Sequence, residues 1–365
     1  MPGIWDFLKK HRGKIVAGAV AAGGAFVLHQ TWRNSSELIS SSWNREREIS
    51  RTQLQARRHY IYDTQHRTCD ASILDLLPSI AKRISAYFDV EAMIEQLKSS
   101  EELSSEQRII LWQDIKVKSV GRMVAVAYAF SLISVTLKCQ ISILASQLCL
   151  PFIEKEDYWW NQYLPENLKF LSSNMQLNKL QKFTINSSVQ QIFLKCCQFF
   201  ITSGLNDLMK KVEEICKSEL EELELRSPID GEKLKVILRN LKKRMDLLDC
   251  RHFSYLVVPK YANQNGFALP NVSELDVLLK RLVEMLESTK CKEVTSSLID
   301  FFFDAVVNHS TCQEMPLAKM LPLITDSFHT LSRGGFDSPI QNVLCSTELH
   351  SLSMHVFSLP PVQIR

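Results

Sequence analysis

The chain has 365 residues, 45% of them hydrophobic and 23% charged, and a formal net charge of +3. That balance supplies a sizeable core and excludes a disordered chain, a collagen-like fibre or a small disulfide scaffold. The charge is uneven: residues 1–70 hold 11 Lys/Arg against 6 Asp/Glu, the remainder 32 against 34, so a nucleic-acid-binding face is not expected in the body of the chain.

Residues 1–14 form a basic tail with Lys9, Lys10, Arg12 and Lys14. An uncharged run follows from residue 15 to 32, with Ile15, Val16, Val20, Phe26, Val27 and Leu28 as its apolar positions. At roughly 1.5 Å per residue such a run just spans a bilayer core of about 30 Å. A cleaved signal peptide and a buried core helix compete with this reading. The first would deliver the cysteines to an oxidising compartment, and the second sits poorly with the preceding basic cluster, so an uncleaved membrane anchor is expected.

Residues 33–70 are polar and rich in Arg, which fits a helix with its basic face near anionic headgroups, and equally a solvated helix or linker. A buried helical pattern resumes over 71–98, interrupted by Pro78. After the loop "SSEELSS", Ser104 followed three places later by Gln107 predicts a capping box that opens a helix over 104–119. Its apolar residues surround the axis: Ile109, Trp112 and Val120 on one side, Leu111 and Ile115 on a second, Ile110 and Val117 on a third. Next, Met123 to Leu137 carries no charge, which fits a central helix enclosed by others and, as the alternative, a membrane-associated segment that is short for a full span. Pro151 to Pro165 reads as a loop. Further helices are expected near 187–225, 232–249, 273–288, 293–307, 316–331 and 338–357. Gly and Pro number only 11 and 12, and strict alternation is hard to find. The expected fold is therefore all-α: an elongated helical bundle over 71–365 behind a short N-terminal anchor.

The 10 cysteines are scattered, without a C-x-x-C pair or zinc-like spacing, and read as small buried hydrophobes in a reducing environment. Motifs for metalloprotease, hydrolase, P-loop or dinucleotide chemistry do not occur, so neither catalysis nor a cofactor is expected.

Four islands, "WDFLKKHRGK" at 5–14, "QARRHYIYDTQHRTCDASILDLLPSI" at 55–80, "LWQDIKVKSVGRMVAVAY" at 111–128 and "PLAKMLPLI" at 316–324, together resemble the peroxin-3 family. The resemblance implies a peroxisomal membrane protein with a short luminal N-terminus and a cytosolic helical domain, in some settings passing through the endoplasmic reticulum. It further implies no enzymatic activity, and docking of peroxin-19, the carrier of new peroxisomal membrane proteins, in support of peroxisome biogenesis. In the family, the Trp of the "LW-x-D-[LI]-K" motif lines an apolar groove that receives an amphipathic helix of peroxin-19. Here that residue is Trp112, which taken alone would also suit an ordinary core position. The resemblance assigns Ile109 to the same face, Leu97 and Lys98 to the groove wall, and Lys116 to a rim facing acidic partner residues. Membrane lipid would be the second partner, through the anchor and basic region. Two rivals stand beside this reading: a helical enzyme or lipid-handling protein of another organelle, with a cavity along the central helix, and a membrane-tethered scaffold for some other helix.

Overall fold

The computed structural model describes residues 51–99, 104–149, 187–248, 253–258, 272–310, 314–335 and 338–360. The anchor positions Ile15, Val16, Val20, Phe26, Val27 and Leu28 lie outside them, as do the loop expected at 151–165, Cys250 and Cys312.

The described chain is helical apart from one two-stranded antiparallel pair. In order it runs α1 (Arg51–Tyr87), α2 (Val90–Ser99), α3 (Ser105–Leu148), α4 (Ser187–Leu194), α5 (Cys196–Phe199), a π-turn (Phe200–Gly204), α6 (Leu205–Leu220), β1 (Pro228–Ile229), α7 (Gly231–Leu248), α8 (Ser254–Val257), α9 (Val272–Leu286), α10 (Thr289–Ser310), β2 (Met315–Pro316), α11 (Leu317–Ser332), α12 (Pro339–Leu344) and α13 (Thr347–Ser358). Ile229 pairs with Met315 and Pro228 with Pro316, which ties the entry of α7 to the start of α11.

Helix α3 is the axis. The two helices expected over 104–119 and 123–137 are one, 44 residues long, and from Ser119 to Gln147 every residue is buried. Helices α1, α6, α10, α11 and α13 pack around it. Among the described residues it is the one helix long and apolar enough to cross a membrane, and its apolar stretch is wholly enclosed by protein. The surrounding helices need a single apolar stripe each, which is why α6 and α9 are strongly amphipathic while α3 is apolar all round.

Two expectations about α1 change. It runs unbroken through Pro78, which lies exposed where its missing N–H meets solvent. It also continues across residue 70, so the described part of the basic segment is not a linker: Ile61, Tyr62, Gln65, His66 and Cys69 are all buried. His66 of that set and the half-buried Asp70 form a polar chain with α3. Lys138 Nζ lies 2.6 Å from Asp70 Oδ1 and 3.3 Å from His66 Nδ1, and His66 Nε2 lies 3.2 Å from Ser142 Oγ. An ammonium can only donate, so Nδ1 accepts, the imidazole proton sits on Nε2, and Ser142 receives it.

The cysteines behave as expected among the described residues. Cys69, Cys139, Cys149, Cys196, Cys197, Cys216 and Cys291 are free and buried; Cys345 is free and exposed. Burial pushes the Cys69 and Cys196 thiols up to about 12, which keeps them protonated.

Burial, with Lys138 beside it, lowers the His66 pKa to about 3. Between that value and the ordinary one near 6.5 the unfolded chain binds a proton that the folded chain refuses. Stability is therefore fully present above about pH 6.5 and lost as pH falls, at no more than about 1.4 kcal/mol per pH unit. Melting midpoints measured from pH 7 to pH 5 should fall, and a His66→Gln variant should show a flatter profile over the same range.

Candidate docking site

The capping box is formed at the free end of α3. Gln107 N–H donates to Ser104 Oγ at 3.2 Å, and Ser104 N–H donates to Gln107 Oε1 at 3.0 Å. This satisfies two donors in a turn that, among the described residues, is exposed. Residues 104–110 are all exposed. From Leu111 onward the helix enters the body of the protein, so helical phase begins to matter there: Leu111 and Ile115 turn inward, Trp112 is half-buried at the boundary, and Ile109 and Ile110 stay 60% and 62% exposed.

Helix α2 lies against this end of α3. Asp89 caps it, its Oδ1 accepting from Ala92 N–H at 3.0 Å. Phe88, just before it, sits so close to Gly121 that a Cβ there would lie 2.9 Å from the Phe88 ring. Glu91 reaches Arg122 at 2.8 Å. These contacts set the start of α2 level with residues 121–122. Reach then decides its direction. Were α2 parallel to α3, Ser99 would stand about 37 Å along the axis from Ser105, whereas the six Cα steps between them span at most ~21 Å. Helix α2 therefore runs back antiparallel, which brings Leu97 to within about one turn of Trp112 along α3. Met93, Ile94 and Leu97, spaced i, i+1, i+4, form its half-buried stripe, and Lys98 is exposed.

Of the site residues expected from sequence, Trp112, Ile109 and Leu97 thus gather at one end of the bundle, with Lys98 on the surface beside them. Lys116 does not stand at a rim. It is 1% exposed, and its Nζ donates to the backbone carbonyls of Leu220, the last residue of α6, at 2.6 Å and of Leu223, just past it, at 2.7 Å. Position 116 faces inward beside Ile115, and the last carbonyls of a helix are ready acceptors for a cation. Burial lowers its pKa. Residues that sequence reasoning missed are Ile110, Met93 and Ile94. The α2 stripe was legible in its spacing. The exposure of Ile110 was not, because it depends on where the body of the protein begins.

The sequence model of the peroxin-3 family matches residues 99–359, from the end of α2 to the end of α13. The chain belongs to the peroxin-3 family. Peroxisomal biogenesis factor 3 of Mus musculus is 20% identical over 389 residues, covering 97% of this chain and 96% of its own. The Homo sapiens protein of that name is 20% identical over 392 residues with the same coverage. Peroxisome biogenesis protein 3-1 of Arabidopsis thaliana is 23% identical over 346 residues, 90% of each chain. These relatives are named for peroxisome biogenesis, and family membership gives this chain that role; the family is one of biogenesis factors rather than of known enzymes.

Because Lys116 closes a helix end inside the protein, Lys116→Met should lower unfolding free energy by about 1–3 kcal/mol, chiefly through the Leu223 carbonyl that loses its donor, since the Leu220 carbonyl still accepts from Leu223 N–H at 3.2 Å. The check is denaturant unfolding, paired with the salt dependence of partner association. A rim lysine would give the opposite pattern, with stability unchanged and a weakened salt dependence.

Proposed function

We propose that the protein is a peroxisomal membrane docking receptor for peroxin-19, with Trp112, Ile109 and Leu97 as the receiving surface. The observation that carries this reading is the apolar group at the free end of α3. Large apolar side chains stand exposed on a capped, rigid helix, beside the half-buried stripe of a second helix. An amphipathic helix laid along them would bury its i, i+3, i+4 residues. Ile110 joins the surface from the next position, and Lys98 and Arg108 supply exposed positive charge at its border.

Attachment to the membrane falls to residues 15–32, since the apolar stretch of α3 is committed to the core. The bulk of the chain is then cytosolic, with the basic 1–14 tail on the luminal side. Among the described residues, a cavity of about 490 Å³ between α7 and α10 is lined mainly by charged side chains, with Lys235 paired to Asp304 at 2.8 Å and Lys242 to Asp300 at 2.6 Å, a poor lining for an acyl chain.

The test uses the full-length chain in mild detergent, titrated calorimetrically with an N-terminal peroxin-19 peptide and with an unrelated amphipathic helix. Selective binding of the first is expected. Trp112→Ala should cost about 2 kcal/mol or more, roughly 30-fold in Kd, with the helical circular dichroism retained. Equal binding of both peptides would favour a general scaffold. Absence of binding by the folded wild-type chain would overturn the proposal.

A further inference from the structure

Helix α2 is secured at one end. Of its ten residues only Val90 is fully buried, while Met93, Ile94 and Leu97 are half-buried and Lys98 and Ser99 exposed. Its polar attachment is Glu91. Both carboxylate oxygens accept from Arg122 Nη1, each at 2.8 Å. Arg122 is completely buried, and its guanidinium carbon lies 4.5 Å from the centre of the Phe328 ring on α11. His329, the next residue on α11, brings Nε2 to 3.8 Å from Glu91 Oε1. One carboxylate thus joins three helices at the foot of the apolar group.

We propose that Glu91 is the positioning residue of the docking surface: its pair with Arg122 fixes the root of α2 against α3 and α11, so that Leu97 is held near the level of Trp112 along α3 when a partner helix arrives. The inference rests on the docking reading above. A buried guanidinium deprived of its carboxylate is left uncompensated, since the Phe328 face offsets only part of its desolvation. Relief comes by drawing water into the place of the half-exposed Glu91 side chain, and the start of α2 then loses its ion pair to α3. The two halves of α2 have different duties. Phe88, Val90 and Glu91 hold the root, and Met93, Ile94 and Leu97, half-buried against the core, present the apolar stripe that the ligand meets. A partner meets a complete surface only in the fraction of molecules with α2 seated, and its apparent Kd rises in inverse proportion to that fraction.

The experiment compares wild type, Glu91→Gln and Glu91→Ala in the full-length chain, by hydrogen exchange of the free protein and by association and dissociation kinetics with the peroxin-19 peptide. In Glu91→Ala, amides of α2 should exchange at least about tenfold faster while those of α3 beyond residue 119 keep their protection. The association rate constant should fall about tenfold with dissociation changed less, because the seated fraction limits encounter; Glu91→Gln, which keeps the size and one acceptor, should lie between. A purely structural role would lower the melting midpoint and leave both α2 exchange and the association rate of folded molecules unchanged. That result would overturn the proposal. Should Glu91→Ala lose its circular dichroism, Glu91→Gln decides by the same two readouts. If wild type does not bind the peptide, the docking reading fails, and α2 exchange alone still decides whether Glu91 seats the helix.

Discussion

The rest of the structure depends on the enclosure of α3. A helix buried on every side satisfies its own backbone, so it can run through the centre of a protein without leaving amides unpaired. Its side chains do not enjoy the same freedom, and three cations sit on the enclosed length. Lys116 meets carbonyls at and just past the end of α6, Arg122 meets Glu91 on α2, and Lys138 meets Asp70 on α1. Apolar packing alone would tolerate a rotated or shifted arrangement of neighbours at modest cost. A buried charge tolerates only the arrangement that supplies its partner. The three cations thus assign three different neighbours to three levels of the axis.

Much of this was legible in sequence, for reasons that differ by residue. Ser104 and Gln107 announce the start of α3 because a capping box is local, and four residues suffice to form it. Helix class and approximate boundaries follow from spacing, which is also local. The fate of Lys116 was not legible, because its acceptors lie more than a hundred residues away and nothing near position 116 marks a lysine as internal. The burial of Tyr62 and His66 was hidden for a related reason. Their stripe on α1 is only partly apolar, and it enters the core because Lys138 and Ser142 on α3 complement His66 while His350 and Phe357 on α13 pack against Tyr62. Pro78 misled in the other direction: an exposed proline on a long, well-packed helix forfeits a hydrogen bond that water replaces.

The family match covers α3 through α13 and leaves α1 and nearly all of α2 outside it. At 20% identity individual contacts are not transferred by alignment, and the grouping of Leu97, Ile109 and Trp112 rests on geometry. The direction of α2 illustrates this. It follows from where Phe88 and Glu91 touch α3 and from how far a short connection can stretch, without reference to any relative.

The same enclosure explains why the exposed end of α3 is suited to recognition. Ordering a side chain on binding costs about 0.5–1.5 kcal/mol when it begins mobile. Trp112 sits where the helix enters the core, its backbone held by the turns on either side, so that cost has been met in folding. Ile109 and Ile110 lie one turn further out, on backbone stiffened by the capping box. Exposing them sacrifices little stability, because the core residues of α3 begin at Leu111 and do not depend on them. An apolar surface can therefore be displayed at this end of the axis while the cohesion of the bundle is maintained by the other end, and substitutions at 109 and 110 have little effect on folding.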